Sequence, residues 1–193
     1  MNSKLKKLRD KCLACRACPL GGREIEAGHF SNVFSNMNPT RIMVVGQNAG
    51  HDEVIQWEPF VGASGKFFNQ MAKEILGRDR SSFYISNVLR CHSPSNRHPY
   101  PSELEACRPI LDEEIKIIKP RLIIALGGVA FERLTGMHGI TKHHGEEVVS
   151  PRYAVTVIPL LHPSPLNMND PANCEMFRAG MKKVGEFLCK NGN

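Results

Sequence analysis

The amino-acid sequence predicts an α/β protein: a single three-layer α/β/α domain around a central, mostly parallel, four-stranded sheet. Short apolar runs alternate along the chain with segments of helical periodicity, a pattern typical of a parallel sheet covered on both faces. Turn-forming residues follow these runs. The 193 residues suit one domain over 1–193, and no repeat or low-complexity tract divides it.

Four segments have the composition of buried strands. Their predicted ranges are 41–45 (RIMVV), 83–88 (FYISNV), 121–126 (RLIIAL) and 154–161 (AVTVIPLL). In an open parallel sheet, ligands bind beyond the carboxyl ends of the strands. We therefore expect a functional site in the loops that follow the strands, at residues 46–53, 87–99, 127–130 and 162–167.

Helices are predicted in the segments between the strands. The clearest one follows residue 101 and is stopped by Pro120. Ser102 and Glu105 have the spacing of a capping box at its start. Its apolar stripe consists of Leu104, Cys107, Leu111, Ile115 and Ile118. Shorter helices are predicted over 64–76, 128–135 and 174–189.

Composition limits the class of protein. No apolar run approaches the length of a transmembrane helix, and the basic N-terminus is not followed by the apolar stretch of a secretory signal. We therefore expect a cytoplasmic protein with no membrane partner, and a monomer. The net charge of +6 favours a polyanionic partner. Seven cysteines without an export signal indicate reduced thiols rather than a disulfide scaffold.

The spacing of the cysteines suggests a metal site. Cys15 and Cys18 form a C-x2-C pair, and Cys91 and Cys107 could complete a set of four thiolates. The alternative is that Cys91 and Cys107 are ordinary core thiols. Cys12 also forms a C-x2-C pair with Cys15, so it remains a possible ligand.

Several motifs together resemble a known family. They are CRACPL, VVGQNAG, EPFVGASGKFFN, YISNVLRCHSPSNRHPYPSELEAC, PRLIIALGGVA and LLHPSPLN. In this order they resemble the uracil-DNA glycosylase superfamily, and within it the iron–sulfur, family 4 type. The resemblance extends from about residue 12 to residue 170. It implies a DNA repair enzyme that flips a deaminated base out of DNA and hydrolyses its N-glycosidic bond, leaving an abasic site.

The resemblance also implies a cofactor. The cluster ligands of the family fall on Cys15, Cys18, Cys91 and Cys107. These residues would hold a [4Fe–4S] cluster with a structural role, tying the N-terminal arm (residues 1–40) to the rest of the domain. The spacing alone does not separate such a cluster from zinc, which we consider the weaker alternative.

Three segments carry the residues that the resemblance assigns to the base and the attacking water. Gly46 and Gln47 would lie against the base edge, with Gln47 lending a backbone N–H, and Asn48 would orient the attacking water. Phe60 matches the aromatic residue on which the flipped base stacks. Asn87 matches the asparagine that pairs with uracil, because an amide offers a donor and an acceptor together.

The segment HPSPLN supplies two further residues. His162 matches the histidine that stabilises the negative charge developing on the uracil O2 as the bond breaks. Leu166 matches the wedge that fills the space left by the extruded nucleotide. The prolines between them predict a stiff loop. By contrast, His143 and His144 have no partner at ligand spacing, and we expect them at the surface.

The sequence departs from the family pattern in its first motif. Family 4 has Glu-Ala-Pro where this chain has Gln47, Asn48 and Ala49, so a carboxylate is absent, and Trp57 stands where a glycine is common. An amide can position water but cannot accept its proton. Two alternatives follow: a metal-stapled module that binds the lesion with weak catalysis, or a glycosylase for hypoxanthine, xanthine or a mismatched pyrimidine.

Overall fold

The computed structural model describes residues 3–26, 28–38 and 40–192, so five residues of the predicted 1–193 domain lie outside it. The helices are α1 Ser3–Leu13, α2 His51–Gln56, α3 Ala63–Leu76, α4 Pro101–Ile118, α5 Gly128–Thr135, α6 Pro165–Met168 and α7 Pro171–Lys190. The strands are β1 Glu24–Glu26, β2 His29–Phe30, β3 Ile42–Asn48, β4 Tyr84–Leu89, β5 Leu122–Leu126, β6 Val148–Val149 and β7 Thr156–Leu160. None of the helices in the described ranges is both long and apolar enough to cross a membrane.

The central sheet confirms the predicted α/β class. Its strand order is β4-β3-β5-β7-β6, and β3, β4, β5 and β7 are the four predicted parallel strands. The sheet has five strands rather than four, because β6 pairs antiparallel with β7 at one edge. This edge strand has only two residues, which is too short to produce an apolar run in the sequence.

Alternate residues of the strands face two separate hydrophobic cores. On β3, Ile42 and Val44 pack in the core covered by α3 and α7, whereas Met43 and Val45 pack in the core covered by α1, α4 and α5. Successive side chains of a strand point to opposite faces of its sheet, so this division produces the three predicted layers. The carboxyl ends of the four parallel strands meet at one edge of the sheet.

The capping residues of α4 differ from the prediction, although the helix begins in the predicted segment. The helix begins at Pro101, one residue before Ser102, and the carboxylate of Glu103 accepts a hydrogen bond from the Tyr100 backbone N–H at 2.8 Å. The proposed box between Ser102 and Glu105 is therefore wrong. Proline suits the first helical position because its nitrogen has no hydrogen to leave unpaired there.

The N-terminal arm lies outside the central sheet. Its helix α1 packs against α4, and β1 and β2 form a two-stranded antiparallel sheet. An isolated bridge between Asn32 and Cys91 joins the arm to the segment that follows β4. The backbone N–H of Val33 donates to the Arg90 carbonyl at 2.9 Å beside this bridge.

Candidate active site

Three of the predicted base-binding residues lie together at the ends of β3 and β4. Gly46 and Asn87 are paired across these parallel strands. A Cβ atom on Gly46 would lie 2.5 Å from Cζ of Phe60 and 2.6 Å from Oδ1 of Asn87. Only glycine therefore lets the phenyl ring and the amide approach this backbone. The amide of Asn87 is 4% exposed, and its Oδ1 has no hydrogen-bond partner among the described residues.

Phe60 has an unusual backbone conformation. Its φ angle is +58°, in the left-handed region that non-glycine residues rarely adopt. The guanidinium of Arg80 donates to the Phe60 carbonyl at 3.0 Å and pairs with Glu58 at 2.9 Å. Gly65, near the start of α3, leaves room for the same carbonyl. These contacts hold the strained residue in place.

A carboxylate near the first loop also fixes the segment after Phe60. One oxygen of Glu53, on α2, accepts hydrogen bonds from the backbone N–H groups of Val61 and Gly62 at 3.0 and 2.8 Å. The first turn of α2 thereby holds the chain entering α3. Glu53 also raises the pKa of His162, opposing the larger effect of burial on that imidazole. Its negative charge therefore acts on His162.

The side chains of Gln47 and Asn48 bind each other. Nε2 of Gln47 donates to Oδ1 of Asn48 at 2.9 Å, and Nδ2 of Asn48 donates to the Ala49 carbonyl at 2.9 Å. A longer contact of 3.4 Å joins Nδ2 of Asn48 to the hydroxyl of Ser93. The Asn48 amide is thus oriented, with its oxygen still able to accept one further hydrogen bond.

His162 follows β7, on the far side of β5 from Asn48. Adjacent strands are about 4.8 Å apart, so roughly 10 Å separate the strands that carry these residues. Burial lowers the pKa of His162, which keeps its imidazole neutral near pH 7. Gly127 has φ of +93°, and a Cβ atom there would lie 3.2 Å from Cβ of His162.

The loop after His162 is stiff, and it presents an exposed leucine. Nδ2 of Asn167 donates to the His162 carbonyl at 2.8 Å, and the hydroxyl of Ser164 accepts from the Asn167 backbone N–H at 3.3 Å. Leu166, on the short helix α6, is 85% exposed. An apolar side chain held in water on a fixed loop is available to contact another molecule.

A cavity between the N-terminal arm, the end of β4 and α4 is lined by five cysteines. The cavity is partly open to solvent, and the five cysteines are Cys12, Cys15, Cys18, Cys91 and Cys107. The backbone N–H of Arg90 donates to Sγ of Cys107 at 3.3 Å, and that of Ala17 to Sγ of Cys15 at 3.5 Å. Burial raises the pKa of Cys12 to about 12 and also raises the pKa of Cys107.

Asn32 ties the cysteine-bearing arm together. Its Nδ2 donates to the carbonyl of Cys12 at 3.0 Å, and its Oδ1 accepts from the Gly22 backbone N–H at 2.6 Å. Because the backbone of Asn32 also forms the bridge to Cys91, this one buried residue connects two segments of the arm with the segment that follows β4. This arrangement places cysteines that are distant in sequence around one cavity.

An ion pair lies beneath the cavity, buried on all sides. The guanidinium of Arg90 pairs with the carboxylate of Glu114, and both side chains are at most 2% exposed. Glu114 also accepts hydrogen bonds from the hydroxyls of Tyr84 and Ser86, each at 2.8 Å. The pair joins the end of β4 to α4, the elements next to Cys91 and Cys107.

Sequence reasoning missed several of these residues. Glu53, Arg80, Arg90 and Glu114 act through contacts with distant segments, so no local spacing indicated them. The expectation for His144 at the surface is wrong, because its imidazole is partly buried and bonded through both ring nitrogens. The sequence offered one signal for such residues, namely a charged residue within a predicted element that packs in the core, such as Glu114 on α4.

The structure defines an α/β/α protein with an aromatic side chain and a buried amide beside one backbone segment at the strand ends, the edge at which proteins of this class bind ligands. The family model of the uracil DNA glycosylase superfamily matches residues 34–184. The chain belongs to the uracil-DNA glycosylase superfamily, which confirms the resemblance of its motifs.

Three relatives cover nearly the whole chain, each named a type-4 uracil-DNA glycosylase. The protein from Sulfurisphaera tokodaii is 34% identical over 95% of this chain and 84% of its own length. The one from Archaeoglobus fulgidus is 33% identical over 92% and 90%. The one from Thermotoga maritima is 36% identical over 92% and 91%.

Proposed function

We propose that this protein is a DNA repair glycosylase that removes uracil. The single observation that carries the proposal is the pocket in which Gly46 lets the Phe60 ring and the unpartnered Asn87 oxygen approach one backbone segment. A flipped uracil stacked on Phe60 would donate its N3–H to that oxygen, satisfying a buried acceptor that is otherwise unpaired. The type-4 relatives support uracil as the base.

In the proposed reaction, water adds to C1′ of the sugar while the bond from C1′ to N1 of uracil breaks. The bonding electrons leave with the base as an anion, and the proton of the water passes to solvent. Asn48 would orient the water through its free acceptor position. Neutral His162 would donate its N–H to the uracil O2, where charge grows only as the bond breaks. Leu166 would fill the space that the flipped nucleotide leaves in the duplex.

The cysteine cavity supports a [4Fe–4S] cluster held by Cys15, Cys18, Cys91 and Cys107. A cluster places each thiolate on a different iron, so its ligands stand farther apart than those of one zinc ion. Among the described residues, no group of three or more potential ligands is arranged to hold a metal ion, so the assignment of a cluster rests on the resemblance and on the cysteines that line the cavity. Backbone donors to Cys15 and Cys107 suit thiolate charge. The cluster would brace the arm.

Iron analysis of protein purified without oxygen tests the cluster. We expect a brown protein with about four iron atoms per chain. Colourless protein with about one zinc per chain would contradict the cluster and leave the proposed activity standing.

The activity is tested by incubating the protein with oligonucleotides that carry uracil, hypoxanthine, xanthine or thymine opposite each base, followed by alkali. We expect strand breaks chiefly at uracil. Breaks at another base alone would identify a different specificity. Tight binding without breaks would favour the lesion-binding alternative, which the absent first-motif carboxylate at Gln47 makes worth testing.

DNA binding itself is tested by its salt dependence. The net charge of +6 and the polar strand-end loops suit a polyanion. If the protein neutralises about four phosphates, log K should fall with log salt at a slope of roughly −3 to −4. A response that is flat with salt would argue against nucleic acid as the substrate.

A further inference from the structure

The backbone just before His162 is held by a histidine from another segment, His144. The Leu161 backbone N–H donates to Nδ1 of His144 at 3.1 Å, and Nε2 of His144 bonds to the Met176 carbonyl at 2.8 Å. Because Nδ1 accepts, the ring proton must be on Nε2, which then donates. The two bonds together define one neutral tautomer.

The imidazole of His144 therefore bridges helix α7 and the peptide that enters the His162 loop. Met176 lies on α7, and so does Gly180, which faces the same ring. A Cβ atom on Gly180 would overlap Nε2 of His144 and the Leu160 side chain. The helix approaches this closely only because residue 180 is glycine.

Other contacts hold the same strand end through its carbonyl groups. Gly145 donates its backbone N–H to the Pro159 carbonyl at 2.8 Å, and Gly127 donates to the Leu160 carbonyl at 2.9 Å. The contact from His144 differs because it holds the N–H of Leu161, in the residue directly before His162. The orientation of the Leu160–Leu161 peptide, one residue before the peptide that enters His162, thus depends on a side chain anchored to α7.

We propose that His144 is a positioning residue for His162, holding the Leu160–Leu161 peptide at the end of β7 so that the His162 imidazole faces the base. The proposal rests on the proposed function, because it assigns His144 a role only through the chemistry of His162. A donor that acts on charge formed in the transition state must be accurately placed, and a shift of about 1 Å can slow a reaction by up to roughly 10²-fold.

A double-mutant cycle tests this role. His144→Ala is made in the parent and in His162→Ala, and uracil release is measured in single turnover with excess enzyme. We expect at least about tenfold slowing in the parent background and less than about twofold in His162→Ala, because residues that act as a unit are not additive. Equal slowing in both backgrounds would overturn the proposal.

Conservative variants separate the two bonds of His144. The amide oxygen of an asparagine can stand in for Nδ1, whereas the amide nitrogen of a glutamine stands in for Nε2. We expect His144→Asn to retain most of the parental rate and His144→Gln to be as slow as His144→Ala. The opposite order would show that the bond to α7, not the bond to Leu161, is the important one, and would contradict the proposal.

Two matched variants complete the design. His143→Ala removes the neighbouring imidazole, which pairs with Glu146 at 2.8 Å, and should leave the rate unchanged. Gly180→Ala displaces His144 from the helix side and also presses on the Leu160 side chain, so it should slow release at least as much as His144→Ala does. A parent protein that releases no uracil would refute the proposed function. An active parent with fast His144→Ala and Gly180→Ala variants would refute only the positioning role.

Discussion

The base pocket uses Asn87, on β4, and the cysteine cavity uses Cys91, just beyond the end of that strand, yet the two sites are built in different ways. The pocket around Asn87 lies at the strand ends, where glycines let side chains approach the backbone. The cavity around Cys91 lies between the sheet and an arm that contributes no strand to it. One site is therefore part of the sheet, whereas the other is assembled from separate segments.

This difference determines what each site needs in order to keep its shape. The pocket uses main-chain contacts and single hydrogen bonds, such as those from Glu53 and Arg80. The cavity depends on the buried pair of Arg90 and Glu114 and on one bridging amide, Asn32. Changes at the pocket should therefore affect rate, and changes near the cavity should affect stability.

The largest effect is expected from Glu114→Gln. It leaves the Arg90 guanidinium buried without its counter-charge, and breaking such a pair costs about 3–5 kcal/mol of unfolding free energy. Denaturant unfolding measures this loss. Glu113→Gln is the matched control, since Glu113 lies on the same helix and forms a long, exposed pair with Lys116 at 3.7 Å. Equal effects of the two changes would contradict the assigned role of the buried pair.

His162→Ala should slow chemistry while leaving affinity and stability almost unchanged. By analogy with a lost oxyanion-hole donor, we expect the single-turnover rate to fall by about 10²-fold or more. Fluorescence anisotropy of labelled DNA provides the binding control. If affinity falls as much as rate does, His162 contacts phosphate or supports the loop instead.

Asn48→Ala should reduce base release by about an order of magnitude, because the water loses one oriented acceptor. Asn48→Asp is the sharper variant, since a carboxylate can accept a proton and stabilise the cationic sugar. We expect it to retain or raise the uracil rate, although Gln47 now donates to this position. An Asn48→Ala protein as fast as its parent would remove Asn48 from the mechanism.

Trp57→Gly should raise stability slightly. Trp57 ends α2 with φ of +56°, where an L side chain is strained by about 1–2 kcal/mol and glycine is not. Two effects oppose this gain. Glycine makes the unfolded chain more flexible, and the substitution removes the contact between the rings of Trp57 and His29, whose centroids are 6.1 Å apart. We expect the free energy of unfolding, measured by thermal denaturation, to increase by up to about 1 kcal/mol. A loss would mean that the contact with His29 is worth more than the strain.

The smallest effect concerns pH. Burial lowers the pKa values of His144 and His162, so below about pH 6.5 the unfolded chain binds protons that the folded chain does not. Stability should therefore fall as pH decreases through this range. Urea unfolding at several pH values measures the slope, which His144→Asn should reduce. An unchanged slope in that variant would argue against a neutral, buried His144.

Much of the fold could be predicted because it depends on local patterns. The run at 121–126 became β5, and the segment 128–135 became α5 with the predicted bounds. The edge strand β6 escaped prediction because two residues carry no periodicity. The capping residues of α4 were predicted wrongly, because the carboxylate of Glu103, not that of Glu105, accepts the hydrogen bond from the backbone N–H of Tyr100.

The candidate site was predictable in part. Motif order alone proposed Gly46, Phe60 and Asn87, and the folded chain brings these three into contact. The roles of all the proposed site residues stay predictions: base binding by Gly46, Gln47, Phe60 and Asn87, catalysis by Asn48 and His162, the wedge Leu166, and the four proposed cluster cysteines. The spacing left five cysteines as possible ligands, and all five line one cavity.

The sequence by itself predicted the four parallel strands, the four helices α3, α4, α5 and α7, and the superfamily that the family model confirms. These follow from the periodicity of burial and from motifs read along the chain. Only the tertiary structure decided which distant residues support the site. Arg90 and Glu114 are 24 residues apart, and His144 and Met176 are 32 apart. Periodicity indicates that a residue is buried, but the partner that it meets depends on how the layers pack.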